Sequence, residues 1–252
     1  MPAAVLGGTG LYNIPGLTVK ETIVKTPYGD ALVFVGQGAD DDIVFLTRHG
    51  PTHGIPPHKI NYRANIKALA QLGVKRIIAN YAVGGINAAI PPLGLAQLSD
   101  FVDFTTGRES TFYDGDPALG GVQHAEMSQP YCPALSDKLH ELAPDFGLSL
   151  FRDAVYATFN GPRFETPAEI RMMRLLGCDV VGMTGAQEVV LARELGMTVG
   201  AVALSINWAA GIQRSLEIVY DGLPALREKV LALSVAVLRA TTDDDCEPAK
   251  LH

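Results

Sequence analysis

Three short polar turns, far apart in the chain, each follow an apolar run that reads as a strand: Gly7-Gly8-Thr9-Gly10, Thr47-Arg48-His49-Gly50 and Met183-Thr184-Gly185. They offer free backbone N–H groups, hydroxyls, a permanently charged guanidinium and an imidazole, the groups that hold a phosphate dianion. Brought together, they make a site for inorganic phosphate or a phosphoryl group. Two more polar residues stand at the edges of predicted elements. Glu165, in Gly161-Pro162-Arg163-Phe164-Glu165-Thr166, lies between a strand and a helix start, and Asn207 closes the run Val202 to Ile206.

Each of these residues also has a plainer use. Gly8-Thr9-Gly10-Leu11 has Asn13 where the dinucleotide fingerprint needs a third Gly, and no Gly-Lys-Ser/Thr follows, so Rossmann and P-loop readings lose support and a structural turn stays open. Arg48 and His49 end the run Asp42 to Leu46, where ligands collect in open α/β sheets. An ion pair for the Arg and a structural hydrogen bond for the His are the alternatives. Thr184 fits a capping box with Gln187, which is compatible with anion binding at the same helix N-terminus. Glu165 can simply complement a helix dipole, and Asn207 can be a turn residue.

The elements that must position these residues alternate. β-rich runs at Ile43 to Leu46, Arg76 to Ala79, Ala154 to Phe159, Asp179 to Met183 and Thr198 to Ile206 are separated by helical patterns, which predicts the α/β class with a mostly parallel or mixed sheet covered by helices. Thr166-Pro167-Ala168-Glu169 combines an N-cap, a first-turn Pro and a capping-box Glu, predicting a helix that ends at Gly177. A second helix runs from Thr184 to near Gly196, a third from near Asn61 to Gly73, and a last amphipathic one from Leu223 to Leu238. Residues Thr241 to His252, with Asp243-Asp244-Asp245, read as a loosely ordered tail.

Nothing in the composition marks a hinge, so the 252 residues read as a single domain, 1–252. With 48% hydrophobic and only 19% charged residues, the chain has the material for a large buried core. A formal net charge of -7 argues against sequence-independent binding to nucleic acid or to an anionic membrane, and so favours small-molecule chemistry. The start Pro2-Ala3-Ala4-Val5-Leu6 lacks the features of a signal peptide, and no apolar stretch has the length of a membrane span. Cys132, Cys178 and Cys246 are odd in number and too widely spaced for a disulfide framework or a zinc cluster. Together these features predict a cytoplasmic protein with free thiols.

Taken in order, the motifs resemble the purine nucleoside phosphorylase and methylthioadenosine phosphorylase family of trimeric enzymes. The resemblance runs from Gly7 to about Gly211, about four-fifths of the chain. It is carried by GGTG, the Arg48-His49-Gly50 turn with NYRANIKAL after it, AVGGI from Ala82, FYDG from Phe112, GPRFET from Gly161 and GMTGAQEVVLARELG from Gly182. It implies a three-layer α/β/α fold with a central mixed sheet and a homotrimer. It also implies a phosphate site from Thr9, Arg48, His49, Ala82 and Thr184, with Phe164 and Met183 packed on the ribose and Ala209 near the base. Tyr81 stands where methylthioadenosine phosphorylases often carry a small hydroxyl residue.

The resemblance also implies a base preference. Family members acting on 6-aminopurines carry Asp at the position of Asn207 and Ser at that of Glu165, whereas those acting on hypoxanthine and guanine carry this chain's pair. An ionised Glu accepts the proton on ring nitrogen 1 of a 6-oxopurine, where adenine presents only an acceptor. Asn207 donates to the 6-oxo oxygen or bonds nitrogen 7, making Glu165 and Asn207 the expected catalytic pair. A mismatch leaves buried polar groups unpaired, at about 1–3 kcal/mol per group.

His124 resembles the histidine that family members send across a subunit interface toward the 5′ end of the nucleoside. The stretch from Leu216 to Asp221 lacks the His that binds a 5′-hydroxyl in ordinary purine nucleoside phosphorylases, so an apolar 5′ pocket at Leu216 is expected. The implied reaction is reversible phosphorolysis, with 5′-methylthioinosine as the leading substrate. A general inosine and guanosine phosphorylase, a methylthioadenosine phosphorylase and a non-catalytic nucleotide-binding protein are the alternatives. No metal or organic cofactor is expected, phosphate being a co-substrate.

Overall fold

A computed structural model of the chain describes residues 2–8, 17–52 and 54–252, so Thr9 and Gly10 of the first turn lie outside the described residues. The strands are Ala3–Gly7 (β1), Val19–Thr26 (β2), Gly29–Gly36 (β3), Ile43–Thr47 (β4), Arg76–Gly85 (β5), Leu95–Asp103 (β6), Leu150–Thr158 (β7), Val180–Gly182 (β8) and Thr198–Trp208 (β9). The α-helices are Tyr62–Gln71 (α1), Pro133–Leu142 (α2), Pro167–Leu175 (α3), Gly185–Glu194 (α4) and Leu223–Ala240 (α5). Both β1 and β4 are buried at every position, as strands covered on both faces must be. β2 instead alternates between exposed and half-buried residues and forms the sheet edge.

The sheet is mixed, as expected, but it is not open throughout. Its order is β2-β3-β4-β1-β5-β8-β7-β6-β9, and β9 also pairs in parallel with β5, so the last five strands close into a ring. The ring is completed by the antiparallel pairings of β5 with β8 and of β6 with β9. Two apolar layers cover the sheet. Ile66 and Leu69 of α1 share one with Val189 and Leu191 of α4; Leu135 and Leu139 of α2 share the other with Leu233 and Val237 of α5. Each such buried side chain contributes about 1.5–3 kcal/mol of transfer free energy. α3 lies over a smaller cluster in which its Ile170 and Met173 meet Val181 and Ala209.

The helix signals decide most boundaries. At α3, Thr166 Oγ1 accepts from the Glu169 amide at 3.2 Å and Glu169 takes the Thr166 amide at 2.7 Å, closing the capping box. Gly177, at φ 82°, ends that helix in the left-handed region. Asn61 caps α1 by accepting from the Ala64 amide at 3.0 Å.

Two expectations are corrected. Thr184 occupies the N-cap of α4 without a side-chain cap bond, and the reciprocal bond is missing too, because the Gln187 side-chain oxygen accepts from Arg108 while its amide nitrogen donates to Asp103 and Thr105. The C-terminal residues pack rather than trail away. Arg76 pairs with Asp243 and donates to the Thr241 carbonyl, Cys246 is buried, and Leu251 bridges to Ala125. A buried guanidinium needs those carbonyl and carboxylate acceptors, which an Asp-rich segment supplies. Among the described residues no helix is long and apolar enough to cross a membrane.

Candidate active site

The parallel pairing of β1 with β4 sets Gly7 opposite Thr47, so the first two polar turns leave the sheet side by side. The Arg48 amide donates to the Gly7 carbonyl at 3.1 Å, and a Cβ placed on Gly8 would lie 3.8 Å from both the Arg48 guanidinium and the His49 ring. β5 runs next to β1 and carries Ala82, exposed although its strand is central, because a cavity opens there. β8 pairs with β5 at Gly84 and leads directly into Met183, Thr184 and α4. The described parts of the three turns therefore meet where β1, β4 and β8 end beside the middle of β5.

Asn207 reaches the same place through a register change. Val83 pairs with Ser205 but Gly84 pairs with Asn207, so Ile206 is the extra residue of a bulge, the usual device for re-aiming a strand's side chains. Gly84 is required opposite: a Cβ there would stand 3.2 Å from the Asn207 amide nitrogen. Phe164 and Glu165 come from the segment entering α3. All these residues line one cavity of about 780 Å³, within the range of small-molecule sites.

At one end of the cavity the electrostatics differ from the sequence expectation. Arg48 is only 2% exposed and paired on all three nitrogens: its Nε and Nη2 donate to the two carboxylate oxygens of Glu188 at 2.6 and 3.0 Å, and Nη1 donates to the Asn80 carbonyl at 2.9 Å. Its guanidinium carbon also lies 4.9 Å from the centre of the Tyr81 ring. Burial opposes its charge, but Glu188 outweighs that and holds the guanidinium above its ordinary pKa. Arg48 is thus no spare cation. Of its five N–H groups, three are used by those bonds, leaving two for a ligand.

Glu188 was not among the expected site residues, yet its signal was present. It stands four residues after Thr184, one helical turn on the same face of α4. Tyr81, at the position where a small hydroxyl residue is common, stacks on Tyr156 at 5.3 Å and buries its hydroxyl without a partner. Burial raises the pKa of that hydroxyl, so it stays protonated. His49 Nδ1 lies 2.8 Å from the Ile55 carbonyl; since a carbonyl only accepts, Nδ1 carries the proton.

The other end of the cavity holds a carboxyl group in an unusual state. Glu165 is 7% exposed, its Oε1 is buried with no hydrogen-bond partner, and burial raises its pKa. Asn207 is buried too and donates to the Trp208 carbonyl at 2.8 Å. Phe164 is half-exposed at the mouth and Met183 half-buried beside it.

Three expected residues do not line this cavity. Ala209 is buried behind Gly84 and donates to the Gly85 carbonyl. His124 exchanges backbone hydrogen bonds with His252, and Leu216 stands half-buried in the segment before α5. In place of Leu216, α5 supplies Pro224, Arg227, Glu228, Val230 and Leu231, and β9 adds Leu204 and Ile206. The i, i+3, i+4 spacing of 227, 230 and 231 was the available signal, hidden within an amphipathic pattern that also serves the core. Among the described residues no group of His, Cys, Asp and Glu is placed to hold a metal ion.

A family model described as the phosphorylase superfamily matches residues 2–239. The chain is similar to the 6-oxopurine nucleoside phosphorylase of Pyrococcus furiosus, at 48% identity over 83% of this chain and 80% of that protein. It is 46% identical to the probable S-methyl-5′-thioinosine phosphorylase of Methanopyrus kandleri, over 91% of this chain and 88% of the relative. Among solved structures, the methylthioadenosine phosphorylase of Schistosoma mansoni in complex with tubercidin is similar with a TM-score of 0.86 and 30% identity, over 96% and 93% of the two chains.

Proposed function

The chain belongs to the phosphorylase superfamily, and from that premise we propose that it is a pentosyltransferase catalysing the reversible phosphorolysis of a 6-oxopurine nucleoside, with 5′-methylthioinosine as the leading substrate. The observation that carries the base assignment is Glu165, a buried carboxyl group with an unpartnered oxygen facing the same cavity as Asn207. Such an oxygen is costly to leave unpaired, by about 1–3 kcal/mol. The N1–H of hypoxanthine or guanine satisfies it, whereas adenine brings a second acceptor. Relatives named for 6-oxopurine nucleosides and for S-methyl-5′-thioinosine, at 41–48% identity, support the same assignment.

Phosphate takes the turn end of the cavity. Thr9, Arg48, His49, Thr184 and the backbone at Ala82 are its proposed ligands, and the N-terminus of α4 adds a favourable dipole. Because Glu188 already balances Arg48, the site neutralises phosphate mainly through hydrogen bonds. The bound dianion faces the anomeric carbon as the glycosidic bond breaks with oxocarbenium character, and it combines with that carbon to give the sugar 1-phosphate. Asn207 and Glu165 stabilise the leaving base. Positioning and preorganised dipoles supply the rate enhancement without a covalent enzyme intermediate. Phe164 and Met183 flank the sugar.

Leu204, Ile206, Val230 and Leu231 give the third arm of the cavity an apolar lining that suits a methylthio group. A general inosine and guanosine phosphorylase is the second reading, favoured by the charged Arg227 and Glu228 beyond that lining. The assembly we propose is a homotrimer, supported by the exposed Met172, Leu175 and Leu176 on and just after α3. His124 would then serve a neighbouring copy. The unpaired thiols of Cys132, Cys178 and Cys246 support a cytoplasmic setting.

The base assignment is tested by Asn207→Asp combined with Glu165→Ser. Selectivity moves toward 6-aminopurine nucleosides if these side chains read the base; unchanged selectivity removes them from that role.

A further inference from the structure

The wall that α5 contributes to the cavity has a fixed polarity sequence. Its inner end is tethered to the sheet, where the Ser234 hydroxyl and the Asn80 side chain exchange hydrogen bonds at 3.2 and 3.3 Å; the Asn80 carbonyl is the one that takes Arg48. Moving back toward the helix start, the same face presents Leu231 and Val230, then Arg227 and Pro224. At 1.5 Å per residue Arg227 lies about 10 Å along the helix from Ser234. With base and phosphate ends assigned as above, this wall is left for the 5′ substituent. It reads as an apolar collar followed by charge.

Arg227 and Glu228 both line the cavity, carry opposite charges and make no hydrogen bond or ion pair with any described residue. Neighbours in a helix do not face one another, so they do not neutralise each other. Arg227 is half-buried, and burial lowers its pKa. A desolvated guanidinium without an acceptor is an incomplete interaction, and a carboxylate is the group that completes it.

We propose that Arg227 and Glu228 form a polar rim of the 5′ subsite that recognises a zwitterionic amino-acid tail, so that the enzyme also cleaves 6-oxopurine nucleosides whose 5′-thioether carries such a tail. The inference rests on the phosphorolysis reading. The thioether sulfur occupies the collar of Val230 and Leu231, the tail carboxylate bonds Arg227, and the tail ammonium pairs with Glu228. The reacting bonds are unchanged: the bond from C1′ to the base breaks, the bond from C1′ to a phosphate oxygen forms, and the tail stays on the sugar 1-phosphate.

The test compares two nucleosides with tails of equal length, 5′-S-(3-amino-3-carboxypropyl)-5′-thioinosine and 5′-S-butyl-5′-thioinosine, with 5′-methylthioinosine as reference. In the wild type the zwitterionic tail lowers KM about tenfold relative to butyl, the worth of a charge-assisted hydrogen bond. In Arg227→Leu that ratio falls to about one, and in Glu228→Gln it falls part of the way. Equal KM values in the wild type, or a ratio that survives Arg227→Leu, overturn the rim while phosphate-dependent cleavage of 5′-methylthioinosine leaves the phosphorolysis reading standing. Loss of that reference cleavage overturns both.

Discussion

Two buried carboxyl groups serve opposite electrostatic purposes. Glu188 is bound on both oxygens by Arg48, so replacing it with Gln strands a guanidinium in the interior, a loss of about 3–5 kcal/mol. Phosphate restores part of that loss by supplying the missing charge. Thermal unfolding of Glu188→Gln with and without saturating phosphate shows a larger phosphate-induced gain in Tm than the wild type shows; equal gains would mean that phosphate does not reach Arg48. Glu165 is the reverse case, a carboxyl group whose pKa burial raises above its unfolded value. The folded state therefore holds its proton more tightly, so stability is greatest below the unfolded pKa and declines as pH rises through the folded one. Glu165→Gln removes that decline: the ratio of variant to wild-type stability increases between mildly acidic and neutral pH, and parallel curves would show that Glu165 ionises without cost. At this scale the sequence was informative about residue types but not about their partners. Arg48, His49, Thr184 and Asn207 were legible because each follows an apolar run, and Glu165 because it precedes a cleanly capped helix; Glu188 could be placed one turn after Thr184, but its pairing with Arg48 spans 140 positions and is not written in any local pattern.

At the scale of elements, the bulge between β5 and β9 is what brings Asn207 into the cavity. Gly84 makes room for it, with Asn207 Nδ2, Ala209 Cα and Val181 Cγ1 within 3.2–3.4 Å of where a Cβ would stand. Gly84→Ala forces those neighbours apart and costs about 1–3 kcal/mol of fit, felt as a loss of about tenfold or more in kcat/KM. Circular dichroism and steady-state kinetics check it: native-like folding with depressed turnover is expected, and wild-type turnover would mean that the bulge does not position Asn207. Helices announced themselves through caps and glycines, as at Thr166 with Glu169 and at Gly177. Thr184 with Gln187 looked equivalent and was not, because Arg108 takes the Gln187 side-chain oxygen that a capping box would aim at the Thr184 amide. The collar on α5 was missed for a related reason: Val230 and Leu231 belong to the core pattern and line the cavity as well.

For the molecule as a whole, the alternation of strands and helices was enough to predict a mostly parallel or mixed α/β sheet covered by helices, and the family resemblance implied the three layers. Closure of β5, β8, β7, β6 and β9 into a ring was not, since it depends on pairings between strands far apart in the chain. That closure sets the polar turns, the Glu165 and Asn207 pair and the α5 wall around one cavity, as the proposed phosphorolysis of a nucleoside requires. Hydrolysis on the same frame would need no phosphate, and a binding protein would release no base. Release of free base from 5′-methylthioinosine, inosine, guanosine and 5′-methylthioadenosine, each with and without phosphate, therefore separates phosphorolysis from both. Phosphate-dependent release from the three 6-oxopurine nucleosides, led by 5′-methylthioinosine and weak with 5′-methylthioadenosine, is the predicted result; release that ignores phosphate, or that favours the 6-aminopurine, would contradict it.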